Sequence, residues 1–154
     1  MSRIQGIARQ NAEAGRKLLI PYLVAGDPNL ASTVALMHSL VECGADIIEL
    51  GIPFSDPSAD GPVIQRGVER SLSKGTTLQG VLDMVAQFRT LNSATPIVLM
   101  GYLNPIEIMG YGNFVEKASN AGVDGVLIVD MPPAESDALY TQLQAQGIDT
   151  IFLV

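Results

Sequence analysis

Two carboxylates in the segment 46–62 are the residues of this chain best suited to chemistry. Glu49 lies near the end of an apolar run, and Asp60 lies in the following loop, which also carries Asp56 and is restricted by prolines at 53, 57 and 62. A carboxyl group in apolar surroundings has a raised pKa and can act as acid or base near neutrality. A second carboxylate in a wetter loop stays ionised, so the pair predicts two different catalytic roles.

Each of these carboxylates also has a simpler interpretation. Glu49 could be the structural partner of a buried Arg or Lys. Asp60 stands before Gly61 and could form only a turn, or cap the next helix. Residue type and spacing alone leave these alternatives open.

The other reactive residues favour structural roles. Cys43 is the only cysteine and His38 the only histidine, so neither an intrachain disulfide nor a zinc site is expected. We predict that Cys43 packs on a helical apolar stripe and that His38 has a packing or surface role. Arg66, Arg70 and Lys74 recur every four residues and predict a solvated helix face.

Five short apolar runs rich in β-formers predict the strands, at residues 17–24, 45–50, 96–102, 123–130 and 148–154. Most are apolar almost throughout, which is typical of strands covered on both faces of a parallel sheet. Within the second run, Ile47, Glu49 and Gly51 share one face, and Ile48 and Leu50 share the other. We expect Gly51 to leave room for a ligand beside Glu49.

Helical patterns fill the intervals between these runs. Leu30, Val34, Met37 and Val41 form one stripe, and Leu78, Val81, Leu82, Val85 and Phe88 form another. Gly44, Gly122 and Gly147 stand where helices are expected to end.

Three sequence signals predict where helices begin. Thr76 and Gln79 have the spacing of a capping box, and Asn113 with Glu116 is a looser signal of the same kind. Pro133 is expected to be the first residue of a helix.

Alternating strands and helices imply an α/β protein with a parallel sheet and right-handed crossovers. The first strand ends in Ala-Gly-Asp-Pro at 25–28, without the glycine-rich loop of an open doubly wound sheet. We therefore predict an incomplete (β/α)8 TIM-type barrel of about five parallel strands with intervening helices. A barrel needs eight strands and about 250 residues, so 1–154 is expected to be a single domain, the N-terminal portion of a barrel lacking strands 6–8.

Composition excludes several classes of function. The 154 residues are 47% hydrophobic and 16% charged, with a net charge of −7. This balance is globular, and the negative charge disfavours nucleic-acid binding. No apolar run approaches the roughly 18 residues of a membrane helix, so a cytoplasmic location is expected.

Four sequence blocks carry a resemblance to a known family. The run Glu-Leu-Gly-Ile-Pro-Phe-Ser-Asp-Pro at 49–57, followed by Ala-Asp-Gly-Pro at 59–62, is similar to the signature of tryptophan synthase α subunits. Ala-Gly-Asp-Pro at 25–28, Tyr-x-Asn-Pro at 102–105 and Asp-Met-Pro at 130–132 also match the family. These blocks occur in order across almost the whole chain.

The resemblance implies a (β/α)8 barrel that cleaves indole-3-glycerol phosphate to indole and glyceraldehyde 3-phosphate by a retro-aldol reaction. It implies no cofactor and no metal in this chain, because pyridoxal phosphate belongs to the partner β subunit of an α2β2-type complex. Glu49 would be the general acid/base at the indole C3 and the glycerol hydroxyl, and Asp60 would face the indole N–H.

The resemblance also implies a substrate pocket and a partner surface. The pocket would include Tyr22, Met100, Tyr102, Leu127, Val129 and Leu153, for which barrel core is the alternative. The β-subunit contacts would include Pro53, Asp56, Pro57, Asn104 and Pro132, although Asn104 could simply cap a helix whose first residue is Pro105.

Other functions remain as alternatives. Because the phosphate-binding loops of such barrels follow strands seven and eight, we expect this chain alone to have little activity. A non-catalytic half-barrel that associates with a β subunit or with itself is the second hypothesis. Another phosphate-binding barrel of the same pathway is a third, against which the loop 53–62 argues.

Overall fold

The structure, a computed structural model, describes residues 1–153, without the side chain of Glu135. Its strands are β1 (Tyr22–Val24), β2 (Ile48–Gly51), β3 (Ile97–Gly101), β4 (Gly125–Ile128) and β5 (Asp149–Ile151). Its helices are α1 (Arg3–Glu13), α2 (Leu30–Glu42), α3 (Pro62–Ser73), α4 (Leu78–Arg89), α5 (Leu103–Met109), α6 (Tyr111–Ala121) and α7 (Asp137–Ala145), with a 3₁₀ turn at Pro133–Glu135.

The five strands form one parallel sheet in the order β1-β2-β3-β4-β5. Spatial order therefore equals sequence order. A doubly wound sheet would reverse its strand order at a switch point, whereas a (β/α) barrel does not. The order confirms the predicted five parallel strands and favours the barrel over the open sheet.

The two faces of the sheet bury different sets of residues. Facing the helices, Ile48, Leu50, Ile97, Leu99 and Val126 join the main core with Val81, Leu82, Val85, Phe88 and Phe114. On the other face, Ile47, Val98 and Leu127 form a smaller cluster, here called the inner cluster. Because side chains alternate along a strand, Glu49 lies on the inner side with Ile47, the residue with which it was predicted to share a face.

The predicted first strand is too long. Residues 17–24 were expected to be extended, but β1 covers only Tyr22–Val24. Before Tyr22, a side chain rather than a backbone carbonyl accepts a strand N–H, because the Asp46 carboxylate accepts the Leu19 N–H at 2.8 Å. Leu19 and Ile20 remain 54% and 45% exposed, so an apolar run here does not imply a buried strand.

Helix α1 covers the end of the sheet where the strands begin. Ile4 and Ile7 pack on the inner cluster, and the Arg3 guanidinium donates to Asp124 at 2.7 Å. The Ser2 hydroxyl donates to Asp149. The amino-terminal helix is thus joined to β4 and β5 by polar contacts as well as apolar ones.

Three predicted helix starts are wrong by one or more residues. Thr77 rather than Thr76 caps α4, accepting the Gly80 N–H at 3.1 Å. Helix α6 begins at Tyr111, two residues before Asn113, because Gly110 supplies a positive φ at its start. Pro133 begins a 3₁₀ turn, and α7 starts only at Asp137.

Helix α5 also begins earlier than predicted. Tyr102 is its N-cap, which places Asn104 inside the first turn rather than before it. The Asp130 carboxylate, arriving from the end of β4, accepts the Leu103 N–H at 2.8 Å. A carboxylate distant in sequence therefore replaces the local cap that we expected.

The predicted helix ends are confirmed at Gly44, Gly122 and Gly147, which all have positive φ. Cys43 is exposed at the end of α2, so the prediction that it packs in a stripe is wrong. His38 does pack, with its ring centroid 4.6 Å from that of Phe88.

The basic face predicted for α3 is not only solvated. The Arg70 guanidinium makes two hydrogen bonds to the Asp27 carboxylate, at 2.8 and 2.7 Å. This fork-to-fork pair ties α3 to the loop after β1. The spacing of the basic residues carried no sign of a partner 43 positions earlier in the chain.

Within residues 1–153, no helix is long and apolar enough to cross a membrane.

Candidate active site

Neighbouring parallel strands place Tyr22 and Glu49 side by side. Tyr22 on β1 pairs in register with Glu49 on β2, which pairs in turn with Val98 on β3. Side chains that share a register position on neighbouring parallel strands point to the same face. Tyr22 and Glu49 are therefore direct neighbours on the inner face.

Glu49 is a half-buried carboxyl group in apolar surroundings. It lines a cleft of about 220 Å³ together with Ile4, Leu18, Ile20, Ile47, Val98, Leu127 and Ile151. Burial raises the pKa of Glu49 above its ordinary value. None of the ion pairs among residues 1–153 includes Glu49, so the structure offers no support for its interpretation as the partner of a buried cation.

Asp60 is held by a tyrosine. The Tyr102 hydroxyl donates to Asp60 Oδ2 at 3.1 Å, and the hydroxyl oxygen of Tyr102 accepts the Ala59 N–H at 3.0 Å. Helix α3 begins after Gly61, which has no side-chain cap. The alternative that Asp60 caps this helix is therefore wrong, and its carboxylate is directed towards the sheet by Tyr102.

Tyr22 occupies the space that Gly51 leaves. A Cβ added at Gly51 would lie 2.1 Å from the Tyr22 hydroxyl oxygen and 2.6 Å from the ring carbon that bears it. The absent side chain thus admits the phenol, rather than a ligand directly as we predicted. Burial, followed by the charges of Asp60 and Glu49, raises the pKa of Tyr22, so its hydroxyl stays protonated.

The other predicted pocket residues differ in their position. Leu127 is buried in the inner cluster, and Met100 and Val129 pack against it while remaining half-buried. Leu153 lies beyond β5 and is 60% exposed, because the strand ends at Ile151. The structure therefore groups five of the six predicted residues on the inner face, and Leu153 is not among them.

A second cleft adjoins the site on its outer side. This groove, of about 460 Å³, is lined by residues 53–55, Leu72, residues 77–79, Asn104, Pro105, Ile108 and Met109. It brings two of the predicted partner contacts together, Asn104 at its exposed rim and Pro53 buried in its wall. Asp56, Pro57 and Pro132 lie outside the groove on neighbouring loops, with Asp56 and Pro132 exposed.

The groove and the carboxylate site share an aromatic contact. Phe54 lines the groove, and its ring centroid lies 5.4 Å from that of Tyr102 in a tilted arrangement. Tyr102 holds Asp60, so Phe54 connects a surface cleft to a carboxylate of the site. Residue types gave no sign of this link, although Phe54 and Tyr102 both fall in the blocks that carried the resemblance.

Among residues 1–153, no group of three or more His, Cys, Asp or Glu side chains is placed to hold a metal ion.

Comparison with known proteins identifies the family. The family model described as tryptophan synthase alpha chain matches residues 8–154. This chain belongs to the tryptophan synthase α family. Its fold is accordingly the incomplete TIM-type barrel that the sequence predicted, and the relatives show the same architecture in solved structures.

The relatives of this family member are close in sequence. The tryptophan synthase alpha chain of Burkholderia mallei is 60% identical over all 154 residues, which cover 57% of that protein. The Dechloromonas aromatica protein of the same name is 56% identical, and the chain covers 58% of it. The chain thus spans a little over half the length of the curated relatives it matches.

Solved structures of the family superpose on the same residues. The tryptophan synthase alpha chain of Legionella pneumophila subsp. pneumophila is 49% identical, with a TM-score of 0.96 over 100% of this chain and 58% of that one. The tryptophan synthase complex of Pyrococcus furiosus is 47% identical, with a TM-score of 0.85 over 89% of this chain and 56% of that chain.

Proposed function

We propose that this site performs the retro-aldol cleavage of indole-3-glycerol phosphate to indole and glyceraldehyde 3-phosphate. The observation that carries the proposal is the pairing of two unlike carboxylates at one end of the sheet. Glu49 is half-buried with a raised pKa, Asp60 is held by the Tyr102 hydroxyl, and the charges of both act on Tyr22. Membership of the tryptophan synthase α family supports the choice of substrate.

The chemistry of the reaction requires two such groups. Cleavage of the C–C bond begins when C3 of the indole is protonated, which a carboxyl group with a raised pKa can do near neutral pH. Positive charge then spreads to the ring nitrogen, where a fixed carboxylate stabilises it. We assign the first role to Glu49, which also takes the proton of the glycerol hydroxyl, and the second to Asp60.

Tyr22, Met100, Tyr102, Leu127 and Val129 are proposed to line the indole pocket, and Leu153 stays a prediction. The apolar character of the inner cluster supports this assignment, because an indole ring needs apolar walls. We propose that residues 1–154 act as one domain and that the substrate phosphate is bound by parts of a barrel beyond these five strands. The cytoplasmic location stays a prediction.

The assignment is tested by Glu49→Gln and Asp60→Asn in the native protein that carries these residues. Each change keeps the size of the side chain and removes its charge, so indole release from indole-3-glycerol phosphate is expected to fall by about 100-fold or more. Glu42→Gln, an exposed carboxylate on α2, is the matched control and should keep full activity. Normal indole release by either site variant would refute its assigned role.

We propose further that a tryptophan synthase β subunit, which carries the pyridoxal phosphate and receives the indole, docks on the groove beside the site. The groove is mostly apolar, and Ile108 on its rim is 80% exposed. An apolar cleft of this kind accommodates an apolar side chain of a partner. The Pyrococcus furiosus relative was solved as a tryptophan synthase complex, which supports this type of partner.

Ile108→Asp tests the docking surface. A charge at the rim of an apolar cleft should weaken β-subunit binding by about tenfold or more, since desolvating it is costly. The purified β subunit is titrated into the native protein carrying each change. Leu91→Asp is the control, at an equally exposed position away from the groove. Equal binding by the two variants would place the partner elsewhere.

A further inference from the structure

The Tyr22 hydroxyl is within electrostatic reach of both carboxylates of the site, Asp60 and Glu49. Tyr22 pairs in register with Glu49, and its phenol extends over Gly51, the next residue on the same face of β2. Asp60, Glu49 and Tyr102 are all close enough to influence it electrostatically, whereas no hydrogen bond within residues 1–153 involves it. A phenol O–H at such a position is a donor whose proton is free to be directed.

The two phenols of the site differ in this respect. The oxygen of Tyr102 accepts the Ala59 N–H, so its single proton is directed to Asp60. No hydrogen bond within residues 1–153 fixes the direction of the Tyr22 proton. Tyr102 is therefore the donor to Asp60, and Tyr22 is the second phenol within reach of the charges of Asp60 and Glu49.

Glu49 has a particular need for a donor. When it gives its proton to the substrate, a negative charge forms on a half-buried group that has no cation beside it within residues 1–153. A charge in an apolar site is stabilised most by a hydrogen-bond donor that is already in place. Tyr22 is such a donor, because burial and its charged neighbours keep its hydroxyl protonated.

We propose that the Tyr22 hydroxyl is a positioning residue that donates a hydrogen bond to the Glu49 carboxylate as Glu49 releases its proton. The O–H bond of Tyr22 stays intact throughout. The proton that moves is that of the Glu49 carboxyl group, which passes to the indole C3, while Tyr22 only turns its hydroxyl towards the carboxylate left behind. This inference rests on the proposed role of Glu49 as the acid.

Among the described residues, the surroundings of Glu49 contain few other groups that could do this. The titratable groups on its side of the sheet are Tyr22 from β1, Asp60 from the loop after β2, and Tyr102 after β3. The remaining walls of the cleft are apolar, from Ile47, Val98, Leu127 and Ile151. Asp60 repels the developing charge, and the proton of Tyr102 is directed elsewhere.

The test is the titration of Glu49 itself, monitored by carbon-13 NMR of the side-chain carboxyl groups in the folded chain. The signal of Glu49 is assigned as the one that is lost in Glu49→Gln. Tyr22→Phe removes only the hydroxyl. Loss of a donor to the charged form should move the midpoint of Glu49 upwards by roughly half a pH unit or more. Tyr140→Phe, on the exposed side of α7, is the control and should leave the midpoint unchanged.

Gly51→Ala provides a second variant with the hydroxyl retained. The new Cβ would lie 2.1 Å from the present position of the Tyr22 oxygen and must displace the phenol. It should therefore raise the midpoint in the same direction as Tyr22→Phe.

The outcomes separate this inference from the proposed reaction. An unchanged or lowered Glu49 midpoint in folded Tyr22→Phe would overturn the inference, whatever the rate of indole release. A raised midpoint supports the hydrogen bond. If Glu49→Gln nevertheless released indole normally, the proposed reaction would fail while the hydrogen bond stood. In the native protein, Tyr22→Phe should also lower kcat about tenfold with little change in KM, since the bond forms only as Glu49 ionises.

Discussion

Carboxylates at the two ends of the strands differ in their partners. Where the strands begin, Asp124 accepts hydrogen bonds from Arg3, Arg89 and the Ile97 N–H, at 2.7, 2.6 and 2.8 Å. Where they end, Glu49 is half-buried with no ion pair inside residues 1–153. A fully paired carboxylate stabilises the fold, whereas an unpaired one retains a raised pKa and can exchange a proton.

Asp46 and Asp149 extend the pattern at the first of these ends. Asp46 accepts the Leu19 N–H and pairs with Arg16 at 3.2 Å, and Asp149 accepts the Ser2 hydroxyl. Asp46 joins the start of β2 to the segment before β1, and Asp149 joins β5 to the residue that caps α1. The difference between the ends agrees with the general division of (β/α) barrels, in which one end maintains stability and the other carries chemistry.

The largest effect is expected from Asp124→Ala. This change leaves the guanidinium of Arg89, whose side chain is only 11% exposed, without its carboxylate. Removing one partner of a buried pair typically destabilises a protein by about 3–5 kcal/mol. Urea unfolding followed by circular dichroism measures the change, with Asp83→Ala on the exposed side of α4 as the control. Equal stability of the two variants would remove the distinction between the ends.

Tyr102→Phe tests the other end with a smaller expected effect. The variant loses the hydroxyl that links Asp60 to the Ala59 N–H, and a hydrogen bond contributes about 0.5–1.5 kcal/mol to stability. We expect indole release by the native protein to fall about tenfold, because Asp60 is then free to turn away from the substrate. Tyr111→Phe, which removes a contact with Glu107 on the protein surface, should keep its activity.

The smallest effect concerns stability at the unpaired carboxylate. Burial raises the pKa of Glu49 in the folded chain, so the contribution of Glu49 is favourable below its unfolded pKa of about 4.3 and is lost as pH rises through the folded pKa. Above that window the ionised group costs stability. Glu49→Gln should then be more stable than the parent by about 0.5–1 kcal/mol, a gain typical of functional sites.

Unfolding at pH 4 and pH 8 checks this pH dependence. The gain of Glu49→Gln over the parent should be present at pH 8 and smaller at pH 4. A gain that is independent of pH would show that burial of charge is not its source.

Much of the fold could be predicted from the sequence because apolar runs and helical stripes are local patterns. The five parallel strands, and the face that Glu49 shares with Ile47, followed from them. The length of β1 did not, because the Leu19 N–H is bonded to Asp46, and an apolar run does not reveal a side-chain acceptor 27 residues away. The start of α5 was predicted wrongly for the same reason, because its Leu103 N–H is bonded to the carboxylate of Asp130, 27 residues away.

For the candidate site, the two carboxylates could be predicted but their side-chain contacts could not. Glu49 and Asp60 could be chosen from their residue type and surroundings, and the resemblance gave them roles. The direction of Asp60 by Tyr102, and the space that Gly51 leaves for Tyr22, depend on side chains that meet across strands. A single sequence contains no local signal for such contacts.

The equality of strand order and sequence order has a consequence for the time course of folding. The register partners Tyr22, Glu49, Val98, Gly125 and Asp149 follow one another along the chain, so each strand pairs with the one completed just before it. Closing a short loop costs less entropy than closing a long one. During synthesis on the ribosome, each new strand–helix unit can therefore add to an edge that is already formed, and the carboxyl end that carries Glu49 can be assembled after the third strand has emerged.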